Sequence, residues 1–285
     1  VVLISHLLGE VLTTSDRIAA MRDGQVVALD HAASFDRNSL VAAMGSVAEE
    51  TAGIASRHTT GRLDAPEAVR ATPRVKGATI TLTARQGEVV GLAGLAGQGQ
   101  TELLVRIFER SQDTETNGEI AMVAGDRQSD GVFPLWSISD NISIASLEQF
   151  RKGPLLDFTS IGEFAELWRE KIGIRAPDVE TPILSLSGGN QQKVLFARAL
   201  GSTARIIVMD DPMRGVDVGT KQEVYAMIRE EAARGRTFLW YTTEMDELKN
   251  CDHVYVFREG VIAADLTRSE MTEEAVLHAS FRVDA

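Results

Sequence analysis

An apolar run, Val89 to Ala93, ends in the glycine loop GLAGQGQT, Gly94 to Thr101, and the helix-forming segment TELLVRIFE follows at once. Few sequence features restrict a fold as tightly. A strand, a glycine turn and a helix start in immediate succession make a phosphate cradle. The glycines let backbone N–H groups converge, and the helix adds its positive N-terminal end. The spacing G-x-x-x-x-G-K-[ST] fits Gly94 to Thr101 at every fixed position except the lysine, where Gln100 stands. Gly94, Gly97, Gly99, Gln100, Thr101 and Glu102 are therefore the expected contacts to a phosphate-bearing ligand, with the Thr101 hydroxyl as a magnesium ligand. Gln100 can donate a hydrogen bond but brings no charge. A charged hydrogen bond contributes roughly 1.5–3 kcal/mol against about 1 for a neutral one, which matters around a polyanion. The dinucleotide pattern G-x-G-x-x-G fails, because Glu102 stands where the third glycine would follow Gly97 and Gly99.

Two further stretches carry chemistry. RIIVMDDP, residues 205–212, is an apolar strand ending in two acids. At the carboxyl end of a parallel strand, Asp210 can bind magnesium through an oxygen, and Asp211 can act on a water as a general base. ILSLSGGNQQKVLFARAL, residues 183–200, offers a serine hydroxyl, two glycine amides and a helix start as an anion site at Ser187, Gly188, Gly189 and Asn190. Gly201 follows as the expected C-cap. Each stretch has an ordinary reading taken alone: a glycine turn, a solvated turn, a bare helix cap.

From about residue 71, strand patterns (VVGLA, IAMVA, RIIVMD, TFLWYT) alternate with helix patterns (FAELWREKIG, NQQKVLFARALG, KQEVYAMIREEAARG), which predicts an α/β layout with a mostly parallel central sheet. With 29 basic and 41 acidic residues the formal charge is −12, which argues against a nucleic-acid surface. A single cysteine, Cys251, excludes an internal disulfide framework and fits a reducing compartment.

The two ends of the chain resemble each other. VVLISHLLGEVLTTSDRIAAMRDGQVVA at the start matches FLWYTTEMDELKNCDHVYVFREGVIAA at residues 238–264. Ser5-His6 aligns with Thr242-Thr243 and, after a one-residue gap, SDRI aligns with CDHV. Each copy reads as strand, short helix, strand, Asp/Glu-Gly turn and strand, followed by an amphipathic helix near Phe35–Met44 or Thr272–Phe281. Residues 46–70 are small and polar and read as a linker. The expected organisation is residues 1–45 as the tail of a first domain whose body is missing, 46–70 as the linker, and 71–285 as a second, complete domain with a helical part at about 136–200.

Taken together, LSGGNQQKV, DDPMRGVDVGTK and GDRQSDGVF, in this order after the phosphate loop, resemble the nucleotide-binding cassette of ABC transporters. More narrowly, they resemble the second cassette of the double-cassette ATPases that drive monosaccharide importers of the ribose, galactose and xylose type. The resemblance implies a P-loop NTPase cassette with a central sheet, a helical subdomain and an antiparallel side sheet, and it implies ATP and Mg2+ as cofactors. It implies that Ser187, Gly188 and Gly189 bind the γ-phosphate of ATP held by an opposite cassette, that Asp217 lies at the dimer interface, and that His6 is the switch histidine of the first cassette. The implied partners are transmembrane permease subunits of a sugar importer, a complete first cassette or second ATPase subunit, and indirectly a periplasmic or extracellular sugar-binding protein, with the chain peripheral on the cytoplasmic face of the membrane.

The chain departs from the pattern on one side. Gln100 replaces the lysine, and Asp211 replaces the catalytic glutamate. The shorter carboxylate stands about 1 Å back, a displacement that can cost about 10²-fold. Thr243 stands for a switch histidine, Gly125 occupies the Q-loop position, and no aromatic residue lies between Thr59 and Phe108 to stack on adenine. The short interval from Glu102 to Asp126 implies a reduced side sheet. The expectation is an asymmetric pair, with an intact signature acting on a partner's ATP and a degenerate site of its own. A non-catalytic regulatory cassette and a functionless remnant are the alternatives.

Overall fold

The central strands of the main sheet are short, apolar and followed by turns. The computed structural model describes residues 1–4, 8–22, 25–36, 39–40, 43, 64–214, 216 and 218–281. The chain divides into two units, residues 1–58 with 216–223 and residues 59–215 with 224–285.

In the first unit, helix α1 (Leu8–Thr14) precedes an antiparallel hairpin of β1 (Arg17–Arg22) and β2 (Gln25–His31). Ile18 and Leu40 are buried, with Val11, Leu12, Ala32 and Phe35 packed on them. The strand expected at Val1–Ile4 is not formed, and these four residues are exposed. A single strand has no ladder of its own and needs a neighbour for its backbone groups. Of the helix expected near Phe35–Met44, residues 39, 40 and 43 are helical, Phe35 is not, and 37–38, 41–42 and 44 lie outside the described residues. His6 lies outside them too.

In chain order there follow β3 (Glu67–Ala71), β4 (Leu82–Arg85), β5 (Val89–Gly94), α2 (Gln100–Phe108), β6 (Thr114–Thr116), β7 (Ile120–Val123), α3 (Ile138–Ser143), β8 (Arg151–Lys152), β9 (Leu155–Leu156), α4 (Phe158–Ile172), α5 (Gly188–Gly201), β10 (Ile206–Asp210), α6 (Val218–Ala233), β11 (Thr237–Tyr241), α7 (Met245–Leu248), β12 (His253–Arg258), β13 (Val261–Thr267) and α8 (Glu273–Ser280). The main sheet has the order β13-β12-β5-β11-β10-β7. Every neighbouring pair is parallel except β12 with β13. The loops after β5, β7, β10 and β11 therefore leave from one edge, where ligands of open α/β sheets bind.

The central strands β5, β10 and β11 are almost wholly apolar because both faces are covered. Along β5, Val89 and Ala93 face the layer that holds Val194 and Phe196 of α5, while Val90 and Leu92 face Leu103, Leu104 and Ile107 of α2. Along β10 and β11 the same alternation puts Ile207, Met209, Phe238 and Trp240 on the α5 side, and Val208 and Leu239 on the α2 side. β4, β3 and β6 form a three-stranded antiparallel sheet of short strands, the reduced side sheet. β3 begins at Glu67, inside the stretch that reads as linker.

The helical part rests on local signals. Ser137 and Asp140 make a capping box on α3, Asp157 caps α4, and Gly173 at φ 65° ends it. Gly201 is not the C-cap of α5 but its last residue, with Ser202 as the cap. The reason for glycine there is packing: a Cβ would lie 2.7 Å from Cζ of Phe164 and 2.9 Å from Nε1 of Trp168.

Candidate functional site

The phosphate loop forms where expected, between β5 and α2. Gly94 needs to be glycine twice over. Its φ is 121°, and a Cβ there would lie 2.4 Å from the carbonyl oxygen of Phe257 on the adjacent strand. Gly99 stands in the left-handed region and caps α2. Gln100 is 1% exposed and turns back into the loop. Its Nε2 donates to the carbonyl oxygens of Ala93 (3.2 Å) and Leu95 (3.0 Å), and its Oε1 accepts from the Gln98 N–H (3.1 Å). The loop is thus closed on its own glutamine, which engages a loop amide that an anion would otherwise compete for. Gln98 Oε1 in turn accepts from the Glu259 N–H in the β12–β13 turn.

Thr101 and Asp210, from α2 and the end of β10, meet directly. The Thr101 hydroxyl donates to Asp210 Oδ1 at 2.7 Å. Burial raises the Asp210 pKa, the Thr101 hydrogen bond works against that, and the nearby Asp130 charge adds to it. Asp211 sits at φ 44°, with its N–H donating to the Tyr241 carbonyl at 2.9 Å. Burial raises its pKa, opposed by a hydrogen bond from the Thr243 backbone. A hydroxyl beside a carboxylate fits a magnesium ion, which takes one or two carboxylates and completes its shell with water and phosphate oxygens. Among the described residues no group of three or more His, Cys, Asp or Glu is placed to hold a metal. Thr101 and Asp210 are the residues that would hold the ion; when bound, it would neutralise phosphate charge. Glu102 is exposed in the first turn of α2.

Gly125, after β7, is fixed by the same acid. A Cβ there would lie 2.2 Å from the Asp210 carbonyl oxygen. Asp126 then accepts from the N–H groups of Gln128 and Ser129 and starts a single π-turn, Arg127–Gly131. A cleft of about 910 Å³ opens here, lined among others by Thr101, Gly125, Asp126, Phe133, Ser146 and Asp210. Among the described residues the buried Ser146 hydroxyl in this lining has no hydrogen-bond partner.

The signature forms the start of α5. Ser187 holds the N-cap position without capping the helix through its side chain. Instead its Oγ accepts from Asn190 Nδ2 at 3.0 Å, and Asn190 Oδ1 accepts from the Arg175 N–H at 2.8 Å. The first-turn N–H groups, on Gly188, Gly189 and Asn190, have no acceptor within the helix. Arg127 stands against this turn, its Nη2 2.6 Å from where a Gly188 Cβ would be. Arg198 anchors the helix further along: Nε donates to the Asn141 carbonyl (2.6 Å), Nη1 to the Gly131 carbonyl (2.7 Å) and Nη2 to Asn141 Oδ1 (2.8 Å). Burial brings its pKa down to about 10, so it stays charged at neutral pH.

The structure therefore assembles two groups from the expected residues. Gly94, Gly97, Gly99, Gln100, Thr101, Asp210 and Asp211 share the sheet edge, and Ser187, Gly188, Gly189 and Asn190 form the helix start. Asp217 lies outside the described residues. Sequence reasoning missed Arg127 as a member of the second group; its signal was the Asp-Arg pair in GDRQSDGVF.

Comparison with known proteins agrees with this geometry. The family described as ABC transporter matches residues 78–214. The chain is 37% identical, over 98% of its length, to the ribose import ATP-binding protein RbsA 2 of Rubrobacter xylanophilus, and covers 57% of that protein. It is 32% identical, over 97% of its length, to the arabinose import ATP-binding protein AraG 2 of Burkholderia cenocepacia, and covers 58% of it. The chain thus spans less than two thirds of these relatives. Among solved structures, a nucleotide-free ATP-binding cassette from an ABC transporter superposes with a TM-score of 0.59 at 20% identity, covering 76% of this chain and 100% of that one. A dimeric post-hydrolysis cassette bound to ADP and Pi gives 0.60 at 18% identity, over 71% and 98%.

Proposed function

The chain belongs to the ABC transporter family of ATP-binding cassettes, and on that premise we propose that it is the ATP-binding subunit of a sugar importer whose signature serves ATP held by an opposing cassette. The observation that carries this asymmetry is Gln100. It is buried in its own loop, uncharged, and engaged on both its oxygen and its nitrogen. The signature, by contrast, keeps Ser187 off its own helix and has Arg127 beside the first turn. A helix start with an adjacent guanidinium suits a γ-phosphate arriving from outside. One fold neighbour is a cassette dimer with ADP and Pi, the arrangement in which such a face would be used.

The ribose and arabinose import relatives support a monosaccharide as cargo. The partners on this reading are permease subunits in the membrane, a sugar-binding protein outside it, and a second cassette with a lysine-bearing phosphate loop. Residues 1–45 are then the tail of that other cassette, the first in chain order, with His6 as its switch histidine, and Asp217 lies at the interface. Attachment to the membrane runs through the permease on this reading; among the described residues no helix is long and apolar enough to cross a membrane. ATP turnover by the full assembly tests the proposal. Ser187→Arg is expected to abolish most of it and Gln100→Ala to change it little. Equal losses from both would sink the asymmetry.

A further inference from the structure

The loop between β3 and β4, residues 72–81, stands against the phosphate loop through two glycines. A Cβ on Gly99 would lie 3.3 Å from Cα of Gly260, and a Cβ on Gly260 would lie 2.8 Å from Cγ2 of Val75. Gly99, Gly260 and Val75 are therefore neighbours in series, because neither glycine has a side chain to hold the next residue off. The hydrogen bond from the Glu259 N–H to Gln98 Oε1 ties the β12–β13 turn to the phosphate loop a second time.

The same loop is fastened to α2, the helix that the phosphate loop opens. Arg74 donates to both oxygens of Asp113, Nε at 2.9 Å and Nη2 at 2.8 Å. Arg106 of α2 engages Asp113 as well, and its Nη2 donates to the Thr72 carbonyl at 3.2 Å. The hydroxyls of Thr72 and Thr81 share a hydrogen bond of 2.9 Å across the two ends of the loop. Between these ties the chain reverses. The Ala78 N–H donates to the Val75 carbonyl at 3.1 Å, with Gly77 at φ 98°. This is a four-residue turn with glycine at the central position that needs a positive φ. Lys76 holds the other central position and is exposed.

The arginines nearby are committed elsewhere. Arg74 and Arg106 serve Asp113, and Arg258 donates to the carbonyls of Ala279 and Phe281. Among the described residues Lys76 has no ion-pair partner. It lies one residue, about 3.8 Å, beyond Val75, and carries its ammonium on a flexible four-carbon stem. We infer that Lys76 supplies from outside the phosphate loop the positive charge that Gln100 does not supply from within, its ammonium binding the phosphate chain of a nucleotide held on residues 94–101. The inference rests on reading that loop as a nucleotide site. Gln100 turns its nitrogen inward, onto Ala93 and Leu95, so without Lys76 the loop meets a phosphate with backbone amides alone. An ammonium is a point charge and needs no fixed fork, so a lysine can serve a phosphate from a new direction. The ties to α2 hold the turn in place before a ligand arrives, which lowers the ordering cost of binding. Glu259, exposed and next to Gly260, is the carboxylate that competes for the same ammonium.

Calorimetric titration of the full chain with Mg-ATP tests this. Lys76→Gln is expected to weaken binding about tenfold, the difference between a charged and a neutral hydrogen bond. Lys76→Arg is expected to keep most of the affinity, and the gap between Lys76→Gln and the parent is expected to narrow as salt is raised. The urea midpoint of Lys76→Gln is expected to match the parent's, since the side chain is exposed; a lower midpoint would make the loss one of folding and overturn the inference. Glu259→Gln separates contact from screening. Lys76→Gln is expected to cost about the same factor in that background. No cost there would mean that Lys76 only masks Glu259, and the inference fails. Where the parent binds too weakly to titrate, Gln100→Lys serves as the background. Binding that Lys76→Gln leaves unchanged overturns the inference alone. No binding in either background overturns it together with the nucleotide reading of the loop.

Discussion

A Cβ on Gly125 would lie 2.2 Å from the carbonyl oxygen of Asp210, so the residue at the expected Q-loop position is packed against the end of the strand that presents Asp210. Restoring a glutamine there does not restore a site. Backbone oxygen cannot swing aside as a side chain can, and the ends of β7 and β10 have to part. Overpacking of this kind costs ~1–3 kcal/mol. Gly125→Gln is expected to lower the urea midpoint accordingly, with no gain in nucleotide affinity.

Gln100→Lys tests the closed loop from the other side. The ammonium can keep the hydrogen bonds to Ala93 and Leu95 and loses only the one from the Gln98 N–H. It adds a charge where phosphates would lie. The difference between a charged and a neutral hydrogen bond corresponds to about tenfold in affinity. Calorimetric titration with Mg-ATP is expected to show binding about ten times tighter than in the parent chain. Unchanged affinity would mean that some other departure limits the site.

Much of this was legible beforehand, for a physical reason. Strands covered on both faces must be apolar throughout, and phosphate loops must have glycine at Gly94 and Gly99, so β5, β10 and β11 and the turns after them are written in residue type. The repeat was equally readable, because a hairpin's register is set by its turn and its bulge. The turn at Glu259 and Gly260, with φ of 50° and 83°, is the kind that Asp/Glu-Gly signals. What was not legible depended on neighbours distant in sequence. Gly201 looked like a helix stop because nothing local reveals Phe164 and Trp168. The contact that holds Gly125 to glycine was hidden because it is 85 positions away, at Asp210. Val1–Ile4 had a strand's composition, but a strand is made by its partner.

Arg198 and Asn141 form the joint between α5 and α3. Two of the three guanidinium hydrogen bonds go to Asn141, one to its carbonyl and one to Oδ1. Lysine can reach one acceptor but not the fork, so Arg198→Lys is expected to cost ~2 kcal/mol in equilibrium unfolding. Asn141→Ala removes one partner of the same network. The double variant is expected to fall short of the sum by ~1 kcal/mol, as residues of one network do.

His253 and Glu88 make stability depend on pH. Burial works against a charged His253, but the hydrogen bond and charge of Glu88, 3.5 Å away, outweigh it and raise the imidazole pKa. Burial likewise pushes Glu88 up, and His253 with the Arg85 backbone brings it below its ordinary 4.5. The raised histidine contributes stability that is full below its unfolded pKa of 6.5 and is lost as pH rises through the folded value. The lowered glutamate contributes above 4.5 and loses that contribution as pH falls through its folded value. The pair therefore stabilises most between those two limits. His253→Gln is expected to lower Tm most near pH 5.5 and least near pH 9. A constant deficit across that range would show that the ring packs and the charge does nothing.

Gly188 and Gly201, at the two ends of α5, separate function from packing. A Cβ at either position meets an atom under 3 Å away, but the neighbours differ in what they can do. At Gly201 the neighbours are the rings of Phe164 and Trp168, held in the helical part, where Trp168 is buried. Rings in a packed layer cannot withdraw, so Gly201→Ala is expected to cost ~1–3 kcal/mol. At Gly188 the neighbour is the far end of Arg127, a long side chain that can swing off the turn. Gly188→Ala is therefore expected to leave the unfolding midpoint within ~0.5 kcal/mol of the parent, the range of substitutions that touch no packed group. If the guanidinium assists the signature, the same change lowers ATP turnover of the full assembly, and Arg127→Ala lowers it to a similar extent. Full turnover in both variants would remove Arg127 from the site and leave the signature with its serine and amides alone.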